Sequence, residues 1–111
     1  MAMLITKPIK LGACYIYCKN NGSSGSTICD INLNGSTIFT TSANRPELAN
    51  TDVYAISGVP DVVDLVIGDV LTLDIDQIAT GAADLRIALM EMSNELVFDL
   101  DNELVMTEVE N

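Results

Sequence analysis

Residues 27–41 read Thr27-Ile-Cys-Asp-Ile-Asn-Leu-Asn-Gly-Ser-Thr-Ile-Phe-Thr-Thr41, and this stretch decides the fold. In an extended chain, Ile28, Asp30 and Asn32 fall on one side and Thr27, Cys29, Ile31 and Leu33 on the other. A period of two with one apolar side is the mark of a half-buried strand. Asn34-Gly35 follows, and then the β-rich run Ser36 to Thr41. A two-residue type I′ turn needs two positive φ angles, which Asn and Gly tolerate best, so the stretch predicts a β-hairpin.

The same period extends in both directions. Upstream, Lys10 to Lys19 sets Leu11, Ala13, Tyr15 and Tyr17 against Gly12, Cys14, Ile16 and Cys18. Both sets are largely apolar, which predicts a strand covered on both faces. Asn20 to Ser26 is a loop by its Asn, Gly and Ser content. Downstream, Ser42 to Pro60 reads as a long connection with a short strand near Val53 to Ile56. Asp61 to Ile67 reads as a short strand or a helical turn.

Beyond Gly68-Asp69, residues Val70 to Asp76 place Leu71, Leu73 and Ile75 inward and Thr72, Asp74 and Asp76 outward. Leu85 to Met92 forms another strand, with Leu85, Ile87 and Leu89 inward. Seven or eight short strands and no long helix predict an all-β fold, an antiparallel β-sandwich of jelly-roll type.

The predicted sandwich domain covers residues 1–92. Residues 93–111 form an acidic C-terminal segment in which Asn94-Glu95-Leu96-Val97 recurs as Asn102-Glu103-Leu104-Val105. Two strands about an Asp101-Asn102 turn fit this echo, and so does a helix, because Leu96, Leu100 and Leu104 are four apart. The segment either completes the sandwich, packs on a neighbouring subunit or extends as an arm.

Composition narrows the function. The chain has 111 residues, 5 Lys and Arg, 16 Asp and Glu, no His and a net charge of −11. A single domain is expected at this length. The acidic balance disfavours nucleic acid and anionic membrane surfaces as partners. Without His, no Ser-His-Asp or Cys-His nucleophile and no His-ligated metal can form. No apolar run reaches membrane-spanning length, and no secretory leader is recognisable. Three cysteines, Cys14, Cys18 and Cys29, are read as thiols in a reducing compartment rather than as a disulfide scaffold or half a zinc site.

The charge is also polarised. Residues 1–46 hold Lys7, Lys10, Lys19 and Arg45 against Asp30, a local net of +3. Residues 47–111 hold fifteen acids against Arg86, a local net of −14. That pattern suits ordered packing between neighbours or a solvated acidic face.

Two stretches together resemble a known family. They are Asp30-Ile-Asn-Leu-Asn-Gly-Ser-Thr-Ile-Phe-Thr-Thr-Ser-Ala-Asn-Arg-Pro46 and Gly68-Asp-Val-Leu-Thr-Leu-Asp-Ile-Asp-Gln-Ile-Ala-Thr-Gly-Ala-Ala-Asp-Leu-Arg-Ile-Ala-Leu89. They resemble the β-sandwich module of tailed-bacteriophage virion structural proteins, which include capsid decoration (cement), head-fibre and tail-fibre proteins. The match covers about residues 9 to 92. Ala79 stands where a Gly is common, and the tail after Met92 is longer and more acidic than the generic module.

The resemblance implies a decoration protein, a homotrimer seated on the major capsid protein. Such a protein is made in the host bacterial cytoplasm and carried on the virion surface. The chain starts at its own Met and shows no shaft or repeat of a fibre, which favours decoration. The alternative is a tail-fibre or receptor-binding module that recognises a host surface glycan through Tyr15, Tyr17 or Tyr54. The resemblance carries no catalytic residue, and no enzyme activity, cofactor or metal is expected.

Asp69, Asp74 and Asp76 are read as solvated acids rather than as calcium ligands, since no twelve-residue calcium loop is present. The candidate subunit or capsid interface lies in the terminal apolar residues. These are Met3, Leu4 and Ile5 at one end and Leu96, Val97, Phe98, Leu100, Leu104 and Val105 at the other.

Overall fold

The computed structural model describes residues 2–92, and the backbone of 103–108. Strands are β1 (Ala2–Leu4), β2 (Ile9–Asn20), β3 (Ser26–Leu33), β4 (Ser36–Thr37) and β5 (Glu47–Ala49). They continue as β6 (Tyr54–Ile56), β7 (Asp64–Leu65), β8 (Val70–Gln77), β9 (Ala83–Glu91) and β10 (Glu103–Glu108). All pairings are antiparallel. One sheet runs β1-β8-β3-β4 with β5 also on β3, and the other runs β10-β9-β2-β6 with β7 also on β2. The two sheets form a β-sandwich. Among the described strands the chain crosses between them five times, including from β2 to β3 and from β8 to β9. The β2·β9 and β3·β8 pairs therefore form one long ribbon folded over on itself, the wrapping from which jelly rolls are built.

The hairpin lies where the sequence places it. Asn34 has φ 50° and Gly35 has φ 92°, as a type I′ turn requires. Leu33 pairs with Ser36 across it. The returning strand is shorter than predicted, ending at Thr37. There the Thr37 hydroxyl accepts from Phe39 N (3.0 Å) and donates to Asp30 Oδ1 (2.6 Å), which turns the backbone off the ladder. Ile38 and Phe39 drop into the core, and residues 42–44 form a 3₁₀ turn.

The alternation on β3, β8 and β9 matches the sequence. Cys29, Ile31, Leu71, Leu73, Leu85, Ile87 and Leu89 are buried between the sheets. On β2 the alternation changes phase. The register slips by one residue between Leu11 and Cys14, because Leu11 faces Glu91 while Cys14 faces Leu89. This bulge lets Leu11, Cys14 and Ile16 all point inward and turns Tyr15 and Tyr17 outward. The unbroken alternation predicted for Lys10 to Lys19 is corrected accordingly. Beside the bulge, Cys14 N donates to the buried Ser57 Oγ (2.8 Å), and Ser57 N donates to Cys14 O (2.8 Å). Thr27, the other buried polar residue among the described ones, accepts from Ala79 N at 3.0 Å. Both are satisfied, as buried polar groups must be.

None of the three cysteines forms a disulfide. Burial pushes the Cys14 thiol up to about 12, with a hydrogen bond from Ser57 opposing part of the rise. Cys18, half-buried, is raised by burial and then by the nearby Asp84 carboxylate. Thiolate is the reactive form. The expected result is that a thiol reagent at neutral pH finds no fast-reacting cysteine in the native protein and all three in denaturant. A stoichiometric fast phase on native protein would contradict this packing.

Candidate interaction surfaces

The outer face of the first sheet is closed by its own polar groups. Asp30 and Asp74 lie directly opposite on β3 and β8, a pairing that repels unless each is engaged. Asp30 accepts from Thr37 Oγ1 and from Ile31 N, and Asp74 accepts from Asn32 Nδ2. Asp76 pairs with Arg45 at 2.5 Å. Asp69 accepts from Asn34 Nδ2 (3.0 Å) and Val66 N (2.9 Å), while Val70 N donates to Asn34 Oδ1. The polar residues of the two quoted motifs, 30–46 and 68–89, thus engage one another across the β3·β8 ladder. Asp69, Asp74 and Asp76 each hold a protein partner. Among the described residues, no group of three or more His, Cys, Asp or Glu is placed to hold a metal.

Two of these loops fix acids below their ordinary value of 3.8. Asp61 is lowered chiefly by the backbone N–H of Thr41, and Asp69 by the N–H of Val66 and then by Asn34. A carboxyl lowered on folding adds stability above its ordinary range, and this is lost as pH falls through the lower folded value. The urea midpoint is therefore expected to decline on acidification below about pH 4. In Asp69→Asn part of that decline should vanish, and an identical pH slope would refute the assignment.

The N-terminal candidates separate. Ile5 is a core residue, 2% exposed, and Met3 packs against the core. Both alternate inward from β1, so neither is a surface anchor. Leu4 is 61% exposed. Backbone bonds Gly68 N to Ile5 O and Ile5 N to Asp69 O bring the turn before β8 beside it. That turn carries Val66 and Ile67, both exposed, so three large apolar side chains gather at one corner. A shallow hollow of about 370 Å³, lined by Pro8, Lys10, Asp64 and Val66 among others, adjoins this corner. Among the described residues nothing pairs with the second edge of β1.

The C-terminal candidates are less fully placed. Leu96, Val97, Phe98 and Leu100 lie outside the described residues. Leu104 and Val105 lie on β10, whose backbone pairs with β9 at Leu89 and Ala88. Residues 103–108 are thus a strand rather than part of a helix.

A third surface lies on the outside of the second sheet, where the sequence offers Tyr15, Tyr17 and Tyr54 as glycan candidates but reads the strand of the first two as covered on both faces. All three tyrosines meet there. Tyr17 sits between Tyr54 and Arg86 in register, and Tyr15 between Ile56 and Ala88. The Tyr15 and Tyr54 rings are 6.0 Å apart, tilted by 32°. The only signal in the sequence was the Gly12 that precedes the change of phase, and a strand of mixed apolar character does not reveal a bulge.

No protein-family model, curated protein or solved structure matches the chain. Among the described residues, no helix is long and apolar enough to cross a membrane.

Proposed function

We propose that the protein is a capsid decoration (cement) protein of a tailed bacteriophage, a homotrimer that binds the major capsid protein on the head surface and reinforces it. Its work is adhesion rather than catalysis. The observation that carries this reading is the β1 corner. A β1 edge that no other described strand covers, beside Leu4, Val66 and Ile67, offers main-chain hydrogen bonds and apolar burial in one place, the two ingredients of strand addition. Lys7 and Lys10 lie near it in sequence, against an acidic second half, and complementary charge would set the register between neighbours. The motif resemblance supports the same reading.

The test is co-sedimentation of purified protein with expanded capsids that lack it. Binding is expected, and the double variant Leu4→Asp, Val66→Asp should lose it while remaining folded, since both side chains are exposed. Absence of wild-type binding ends this reading. The rival, a receptor-binding module of a tail fibre, gains from the outward setting of the three tyrosines. Immunogold labelling of virions separates the two, at head or at tail.

A further inference from the structure

We infer that the tyrosine face of the second sheet is a binding site for a pyranose oligosaccharide. The inference stands independently of the capsid reading, because the tyrosine face and the β1 corner share no residue.

Three observations converge. Tyr54 is 56% exposed and forms a tilted pair with Tyr15, with Tyr17 directly across from it. A pyranose presents weakly positive C–H groups on one face, which suit the negative face of an aromatic ring. Next, the same face carries Lys19 and Arg86, both exposed, two of the five basic residues of a chain with net charge −11. Finally, a shallow depression of about 630 Å³ lies at the end of this face. Its lining includes Lys19, Asn20, Asn21, Asp84 and Val53, the neighbour of Tyr54. That volume is in the range of small-molecule sites.

At the rim, Asn21 Nδ2 donates to Asp52 O, and Asp84 adopts φ 58° in the left-handed region that Asp tolerates. Amide, carboxylate and ammonium groups beside the tilted ring pair can meet hydroxyls in several directions. Each tyrosine also brings a hydroxyl, and Lys19 and Arg86 flank the rings.

The test is a printed array of bacterial surface polysaccharides and defined oligosaccharides, neutral and uronate-containing, probed with wild type, Tyr54→Ala, Arg86→Ala and the Leu4→Asp, Val66→Asp variant. Binding to at least one glycan is expected. Tyr54→Ala should weaken it about tenfold or more, equivalent to roughly 1.4 kcal/mol. The corner variant should bind as wild type does. A further loss with Arg86→Ala on uronate glycans alone would identify the acidic class, and an equal loss on both classes the neutral hydroxyl pattern. Tyr54 lies outside the core, and an unchanged circular dichroism spectrum confirms that its variant is folded. Binding to no printed glycan, or binding indifferent to Tyr54→Ala, overturns the inference. So does loss of capsid binding in Tyr54→Ala, which would give the face to a protein partner.

Discussion

Phe39→Ala is expected to lower the unfolding free energy by about 3–5 kcal/mol, read as a fall in the urea midpoint. Phe39 is 2% exposed, and the chain has no Trp and one other Phe. The rest of the buried cluster is Ile, Leu and Cys, none of which can move far enough to fill the space of a ring. Close-packed interiors relax only partly around a cavity, so the substitution loses both the transfer of the ring from water and its contacts. A domain of this size holds about 5–15 kcal/mol in total, so the variant should be close to its threshold for folding. Phe39→Leu keeps most of the volume and should cost under about 1.5–2 kcal/mol. A loss below about 1 kcal/mol in Phe39→Ala would mean that the ring is not packed as described.

Gly22→Ala should produce the second largest effect, and its control lies in the same chain. Gly22 has φ +88°, and a Cβ placed there would lie 2.4 Å from the carbonyl oxygen of Thr80. The oxygen is backbone and the position of a Cβ is fixed by the backbone that carries it, so neither can swing aside. Gly35 has a similar φ of +92° with nothing within 4 Å. Gly35→Ala therefore carries the conformational cost alone, about 1–2 kcal/mol. Gly22→Ala carries that cost and the clash, which must be relieved by opening the contact between the 20–25 loop and the 79–82 turn. The melting temperature should drop further in Gly22→Ala, by roughly 4–8 °C for each additional kcal/mol. Equal drops in the two variants would show that the loop is not held against Thr80.

These two positions also show why parts of the molecule were legible in the sequence and parts were not. The hairpin at Asn34-Gly35 depends on local backbone preference, and two residues encode it. The inward sets on β8 and β9 depend on alternation, which is written along the strand itself. Phe39 was legible only as β-rich. Its departure from the ladder depends on the Thr37 hydroxyl finding Asp30, a contact set by the turn between them. The strand Glu47–Ala49 was hidden in a loop-like stretch because its pairing with β3 is tertiary. The tyrosine face was concealed for a related reason. A period of two has no memory of an inserted residue, so Tyr15 and Tyr17 seemed to belong with Leu11. Ile5 shows the converse: an apolar terminus invited a role at an interface, and the core took it instead.

The folded-over ribbon has a consequence for synthesis. β1 pairs with β8 and β2 with β9, so each strand near the N-terminus waits for a partner from the last third of the described chain. Neither sheet can be completed until that last third has been made. Loop closure over such separations is slow, and folding in milliseconds to seconds is the norm for sandwiches of this kind. During that interval the β2 strand, twelve residues with few charges, is exposed without a partner. The β3–β4 hairpin is the most local pairing among the described residues, and thus the first that a nascent chain can make and keep.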